Sequence, residues 1–230
     1  ELPDPVNDLI GFEKNAGFVY EFNLNQMTDE LRAELGGAFT GGKNNQLLLN
    51  DTVKKAISYC IDQETFISEV WGGYGDPEAT TLVPPENPAH YLYPNPDPFN
   101  IPAARQMLID AGWAYTDTGD PISENPDYLA PLCKAGGADP LSFRFYTLNT
   151  GQAWIVGEQL IAGWCEKAGV ELLEDELSVT DMNSAWYSAN YDLWLWDWIF
   201  SVPSEVTGGV LVVLTTEAIG TDSDVYWSNA

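Results

Sequence analysis

The fold of this chain is organised around residues 191–201, whose sequence is YDLWLWDWIFS. Aromatic and branched apolar residues favour extended backbone, so the first part of this stretch predicts a β-strand. The strand ends in Ser201-Val202-Pro203-Ser204, which are residues typical of a turn. Such a strand can pack entirely into a core. Its aromatic rings can also form one wall of a pocket, since Tyr and Trp combine large apolar surface with a polar tip.

The segments before this strand alternate between strand and helix patterns. Residues 141–149 predict a strand, residues 152–168 a helix, and residues 170–173 the start of a second strand. Thr180 is predicted to cap a short helix that reaches about Ala189. Alternation of this kind indicates an α/β sheet whose strands run parallel.

The first half of the chain predicts one strand and three capped helices. Residues 17–25 read as a strand in which every second residue is aromatic. Asn50 or Asp51 is predicted to cap one helix, and a second helix is predicted over residues 62–70. A third helix is predicted to begin at Asn100 and to end before Gly112.

Two strand ends are the candidate positions for a ligand. In parallel α/β sheets ligands bind beyond the carboxyl ends of the strands. The ends of interest are residues 147–150 and residues 196–201. We therefore expect these two segments to lie at one edge of the sheet.

The composition favours one sizeable core and excludes nucleic acid as a partner. The 230 residues are 45% hydrophobic, and no run approaches the roughly 18 apolar residues of a membrane span. Nine Lys and Arg residues stand against 35 Asp and Glu residues, which gives a formal net charge of −26. Nucleic-acid binding depends on basic residues that neutralise phosphates, so this balance argues against it.

Candidate catalytic and cofactor sites are few. His90 is the single histidine and lies in a proline-rich passage, so a histidine-rich metal site is excluded by count. The common phosphate-binding glycine loops are absent from the sequence. Asp192 and Asp197 are five residues apart along a strand, hence on opposite faces, and cannot form a glycosidase acid–base pair by themselves. We expect no enzymatic activity, no metal and no cofactor.

Three cysteines form an odd set without metal-ligand spacing. Cys60 and Cys165 fall in helical patterns and are predicted to lie in the core. A disulfide between Cys133 and Cys165 is an open alternative that the sequence does not support further.

Several separated segments together resemble one family of proteins. They occur in a fixed order over roughly residues 18–216, and their spacing is similar to that of the extracellular solute-binding proteins of peptide and nickel ABC importers. In the segment at residues 49–64, Lys54 and Lys55 stand where the family more often has Arg. The segments are FVYEFNL at 18–24, LNDTVKKAISYCIDQE at 49–64, GGYG at 72–75, LVPP at 82–85, AARQMLIDAGW at 103–113, residues 160–170, and YDL at 191–193 with Trp198.

The resemblance implies a fold and an extent. It implies one lobe of a periplasmic-binding-protein-like fold of type II, with a mixed sheet flanked by helices. Members of the family are much longer, and these motifs belong to their second large lobe. Residues 1–230 are therefore expected to form a single C-terminal-side lobe, truncated at both ends, whose first lobe is missing.

The resemblance also implies candidate site residues. In peptide-binding relatives an Asp three residues after the strand's Trp binds the α-ammonium group of the ligand. Counted from Trp198, that position holds Ser201, and the usual Gly before that Trp is Asp197. Trp196 to Ser201 are expected to form the cleft wall, and three residues near the other strand end align loosely with cleft residues of relatives. The full set of candidates is Trp196, Asp197, Trp198, Ile199, Ser201, Asn149, Thr150 and Trp154.

By resemblance, the expected function is the capture of oligopeptides outside the cytoplasm and their delivery to ABC permease subunits, without catalysis. The protein is expected in the periplasm or as a lipoprotein on the outer face of the cell membrane, with its signal peptide removed. Oligosaccharide and nickel-chelate ligands remain alternatives, because some relatives carry sugars and the three Trp residues of the strand could stack on sugar rings. A carboxylate-based glycoside hydrolase and a module that binds a partner protein are competing hypotheses.

Overall fold

The computed structural model describes residues 18–75, 97–199, 218, 219 and 226. His90 and Ser201, which were considered above, lie outside these residues, as does most of the proline-rich passage. Four short 3₁₀ turns accompany the main elements. The strands and helices are β1 (Phe18–Leu24), α1 (Asp29–Leu35), α2 (Asp51–Ser58), α3 (Gln63–Trp71), α4 (Ile101–Asp110), β2 (Ser142–Leu148), α5 (Gln152–Ala168), β3 (Glu171–Leu177), α6 (Val179–Tyr187) and β4 (Leu193–Ile199).

The four described strands form one mixed sheet in the order β1-β4-β2-β3. Strand β2 runs parallel to both β3 and β4, as the alternation of strands and helices predicts. Strand β1 pairs antiparallel with β4, with Tyr20 opposite Asp197. The expectation of a mixed α/β sheet flanked by helices is confirmed, and its antiparallel member is the N-terminal strand.

The predicted helix starts are largely confirmed because each has a polar side chain that accepts a first-turn amide. Asn50, Asp62 and Asn100 accept hydrogen bonds from backbone N–H groups of α2, α3 and α4. Helices α3 and α5 end at Gly72 and Gly169, both in the left-handed conformation that glycine adopts without strain.

One predicted helix start is wrong. Helix α6 is capped by Ser178, whose hydroxyl accepts from the amide of Asp181, rather than by Thr180. Strand β3 begins at Glu171, within the segment where a strand is predicted to start, and runs to Leu177. Its last part, Glu174-Asp175-Glu176, has low strand propensity, but pairing with β2 continues to the end of both strands and overrides that preference.

Helices α5 and α6 cover opposite faces of the sheet. Leu195 packs under α5. A Cβ atom added to Gly157 of this helix would lie only 3.0 Å from Leu195 Cδ2. Trp194 points to the other face, where its ring lies 6.2 Å from that of Trp186 in α6. Since successive strand residues alternate faces, β4 contributes to the core on both sides. Tyr191 to Leu195 belong to the core of the sheet, because all five residues are buried.

The three cysteines are buried and unbridged in this structure. Cys60 and Cys165 lie in the core, as predicted. The alternative pair does not form, since the Cys133 thiol donates a hydrogen bond to the carbonyl of Pro131 at 3.5 Å instead.

Candidate functional site

The carboxyl ends of β2 and β4 lie at the same edge of the sheet because the two strands are parallel. The turn Asn149-Thr150-Gly151 follows β2 and leads directly into α5. At the same edge β1 begins, with Phe18 opposite Ile199. Residues 147–150 and 196–199 therefore lie at the same edge of the sheet, as expected from the predicted topology.

The turn after β2 presents polar groups to solvent. The side chains of Asn149 and Thr150 are exposed, while the Asn149 amide donates to the carbonyl of Leu177 at 2.9 Å. Gly151 precedes α5 and offers no side-chain oxygen to cap it. The first-turn amides of α5 consequently add partial positive charge to this edge.

Trp154 lies in the first turn of α5 and is mostly buried, with 8% of its surface exposed. Its ring stacks on Tyr20, with 4.6 Å between ring centroids and an angle of 28°. Trp71 meets the same Tyr20 edge-on at 4.8 Å. Trp154 is therefore part of an aromatic cluster under the strand ends rather than an isolated surface residue.

Asp197 lies beside this cluster. It is half-buried and stands directly opposite Tyr20, so both side chains lie on the sheet face that α5 covers. Burial raises the pKa of the Asp197 carboxyl. Burial, and secondarily the Asp197 charge, also raises the pKa of the Tyr20 phenol. Among the described residues none donates a hydrogen bond to the Asp197 carboxylate.

Trp196 lies on the opposite face from Asp197. It is half-buried and stacks on Trp194 at 5.6 Å with an angle of 19°. Of the residues expected to form the cleft wall, Trp196 and Asp197 have described side chains, and these two face opposite sides of the sheet. For Trp198 and Ile199 the backbone is described, paired with Val19 and Phe18, and Ser201 lies outside the described residues.

Tyr20 and Trp71 also belong to the candidate site, although no sequence pattern marks them as site residues. Tyr20 was recognised only as a member of an aromatic strand face. Its position beside Asp197 depends on the antiparallel pairing of β1 with β4, which joins residues that are far apart in sequence. The sequence feature that could have identified Tyr20 is its position within the first segment that resembles the family, FVYEFNL.

Within the described residues, no group of three or more His, Cys, Asp or Glu side chains is placed to hold a metal ion. The same residues contain no helix long and apolar enough to cross a membrane.

Comparison with known proteins gives relatives for nearly the whole chain. In curated sequences, the oligopeptide-binding protein AppA of Bacillus subtilis is 29% identical over 143 residues, which cover 56% of this chain and 22% of AppA. The AppA structure, solved in complex with a nonapeptide, gives a TM-score of 0.57 at 20% identity and covers 93% of this chain and 38% of its own.

Two further solved structures share the fold. NikA from Brucella suis in complex with Fe(III)-EDTA gives a TM-score of 0.59 at 16% identity, covering 90% of this chain and 36% of NikA. The periplasmic binding protein MelB in complex with stachyose, from Agrobacterium fabrum, gives 0.53 at 15% identity, covering 78% and 26%. The chain spans well under half the length of each of these relatives.

The sequence profile of the family described as "Bacterial extracellular solute-binding proteins, family 5 Middle" matches residues 4–217. This match takes in every described strand and helix, and the structural neighbours share the architecture. Members of this family are extracellular or periplasmic. The chain belongs to the family 5 bacterial extracellular solute-binding proteins.

Proposed function

We propose that this chain forms part of the binding cleft of an ABC importer's capture protein and that its ligands are oligopeptides, bound without catalysis. The observation that carries the proposal is the half-buried carboxylate of Asp197 beside Tyr20 and Trp154, at the edge where β2 and β4 end. A carboxylate next to aromatic rings suits a cationic group, and the α-ammonium of a peptide is such a group.

The electrostatics favour an ammonium ligand. Burial has removed part of the hydration of the Asp197 carboxylate, which is why its pKa is raised. A bound ammonium group would favour the ionised form and lower that pKa again. The neighbouring Tyr20 phenol is neutral at pH 7 and adds no competing charge, because the ordinary pKa of a tyrosine is already well above 7 and burial raises it further.

In this proposal Asp197 takes the place of the carboxylate that peptide-binding relatives carry at the position of Ser201. It reaches the ligand from the face of the sheet under α5. The exposed polar turn at Asn149 and Thr150 then contacts the peptide backbone farther along the same edge.

We also propose that residues 1–230 form one lobe of a two-lobed protein. The support is coverage: 93% of this chain corresponds to 38% of the AppA chain. Closure of a second lobe over the ligand would exclude water and raise affinity. Delivery to permease subunits, and a lipid anchor or removed signal peptide, belong to the same proposal.

The competing ligand is an oligosaccharide. Aromatic rings beside a carboxylate also suit sugar binding, and MelB was solved with stachyose. The two ligand classes differ in charge, since an oligosaccharide has no ammonium group to pair with Asp197.

The test is calorimetric titration of the full-length protein with a mixed pentapeptide library and, separately, with stachyose. We expect heat of binding with the peptides, none with stachyose, and unchanged peptides by mass spectrometry after prolonged incubation. Binding of stachyose without peptide binding would replace the peptide proposal by the sugar alternative. Cleavage of the peptides would overturn the non-catalytic assignment.

A further inference from the structure

The outer edge of β3 is an open side of the described sheet. This strand is last in the order β1-β4-β2-β3, so among the described strands it pairs with β2 alone. The Glu171 amide donates to the carbonyl of Leu141, and the Leu177 carbonyl accepts from the amide of Asn149. In a parallel pair this pattern means that every second residue of β3, counted from Glu171, turns its backbone groups to β2. The residues whose backbone groups point outward are Leu172, Glu174 and Glu176.

Solvent reaches this outer edge. Leu173 is 50% exposed, and the three acidic residues that follow it in β3 are exposed as well. Backbone N–H and C=O groups along an open strand edge are a template for another extended chain. The edge of β3 therefore offers hydrogen-bond partners to an added strand.

A groove of about 420 Å³ lies beside this edge, between β3 and α5. Its apolar part is formed by Ala162 of α5 and Leu172 of β3, both of which are buried. Gly163 leaves it open, because a Cβ atom added there would meet nothing within 4 Å. Both elements also contribute carboxylates to the groove. These belong to Glu166, Glu171 and Glu174.

The charges at the groove are of one sign. Among the described residues that line it, none carries a positive charge. Burial, together with the charges of Glu176 and Glu166, raises the pKa of the Glu174 carboxyl. A cationic group placed there would reduce this repulsion. A second copy of this chain, with 35 acidic and nine basic residues, would instead add negative charge.

We propose that the outer edge of β3 binds a basic extended segment of a partner protein, which adds to the sheet as a further strand. The backbone of that segment pairs with Leu172, Glu174 and Glu176. Its Lys or Arg side chains lie in the groove, with their aliphatic stems on Ala162 and Leu172 and their charged ends at the carboxylates.

The acidic side chains give this edge its selectivity. Charged residues on edge strands prevent association of identical sheets, and here they repel another copy of the same acidic chain. The same charges attract a segment of opposite sign, so one feature both excludes and selects partners. The proposal does not depend on which ligand the cleft takes.

The experiment uses the full-length protein and a fluorescent heptapeptide of alternating Lys and Val. Acetylation of its N-terminus and amidation of its C-terminus leave it without the α-ammonium proposed to bind Asp197. One control peptide alternates Glu and Val, and the other is the basic peptide with every internal amide N-methylated. We expect anisotropy to show binding of the basic peptide alone at low salt. Its affinity should fall about tenfold or more at high salt.

The site of binding is tested on the protein. Hydrogen exchange of residues 171–177 should slow when the basic peptide is present. Glu174→Lys should weaken binding about tenfold or more. The matched control is Glu34→Lys, because Glu34 is exposed on α1, does not line the groove and gives the same change in net charge. Its affinity should stay within about twofold of the wild type.

Equal binding of the basic and acidic peptides, or of the basic peptide and its N-methylated form, would overturn the proposal. Unchanged exchange in residues 171–177 would do so too, as would equal losses in Glu174→Lys and Glu34→Lys. The comparison of peptides on wild-type protein does not depend on whether the variants fold. Sedimentation of the protein as a dimer that Glu174→Pro dissociates would assign the edge to a second copy and also overturn the proposal.

Discussion

The ring of Tyr20 in β1 stacks on that of Trp154 in α5, with 4.6 Å between their centroids. This contact joins the antiparallel edge of the sheet to the first turn of the longest described helix. It therefore fixes the relative position of two segments that border the candidate site.

Replacement of Trp154 by Ala should lower the free energy of unfolding by about 3–5 kcal/mol, because it leaves a cavity under the strand ends. The matched control is Tyr74→Ala, since that ring is 73% exposed and should cost less than about 0.5 kcal/mol. Urea unfolding followed by fluorescence measures both. A similar small loss for the two variants would show that Trp154 does not support the fold.

The two ion pairs Arg144–Asp192 and Lys54–Asp51 should differ strongly in their contribution to stability. Asp192 is nearly inaccessible, lies 3.0 Å from Arg144 and accepts the Asn45 amide at 2.7 Å. Asp192→Asn should cost about 2–4 kcal/mol, because a half-buried guanidinium loses its counter-charge.

For Asp51→Asn we expect a loss below about 1 kcal/mol, since the Asp51 side chain is 97% exposed. Unfolding experiments at low salt and at 1 M salt measure the loss in the free energy of unfolding for each variant. Equal losses for the two variants would contradict the distinction between a buried and an exposed pair.

The buried carboxyl of Glu158 should make stability depend on pH. Burial, reinforced by Glu174, Glu176 and Asp175 of β3, raises its pKa from 4.5 to about 8, although the Asp175 backbone amide lowers it in part. The Oε1 atom has no hydrogen-bond partner among the described residues. Between these two values the folded state binds a proton that the unfolded state has released, so stability falls as pH rises from about 5 to 8.

Glu158→Gln should remove this fall and raise the free energy of unfolding at pH 8 by about 1–2 kcal/mol. The control is Glu166→Gln, because Glu166 is exposed on the same helix. Unfolding by urea at several pH values between 5 and 8 measures the slope. An unchanged slope in Glu158→Gln would mean that this carboxyl is not the group responsible.

Helix α5 offers a second matched pair of substitutions. A Cβ at Gly157 would lie 2.9 Å from Phe66 Cε2, whereas a Cβ at Gly163 would meet nothing within 4 Å. Gly157→Ala should therefore cost about 1–3 kcal/mol through overpacking. Gly163→Ala should stabilise by up to about 1 kcal/mol because it reduces the freedom of the unfolded chain. Thermal unfolding of both variants should give shifts of opposite sign.

Local sequence patterns were sufficient to predict most helices and strands, but not which strands pair with one another. The helix starts at Asn50, Asp62 and Asn100 were predictable because capping depends on residues within one turn. The full length of β3 was not, since its acidic end is extended only by pairing with β2. The juxtaposition of Tyr20 and Asp197 likewise follows from the pairing of β1 with β4, which no local pattern encodes.

The candidate site was likewise predictable from the sequence only in part. The sequence indicated the strand ends, and the structure places both at one edge of the sheet. It also separates Trp196 from Asp197, because adjacent strand residues face opposite sides. The resemblance draws attention to the neutral Ser201, whereas the carboxylate that we propose for a ligand's ammonium group is that of Asp197.

The central claim is that Asp197 binds the α-ammonium of a peptide. Its most direct test is the affinity of the full-length protein for one peptide with a free amino terminus and for its N-acetylated form. The wild-type protein and the control Asp127→Asn, at an exposed position away from the site, should lose about tenfold or more in affinity on acetylation. Asp197→Asn should bind both forms equally weakly. Equal affinity of the wild-type protein for the two peptides, or an undiminished preference in Asp197→Asn, would contradict the claim.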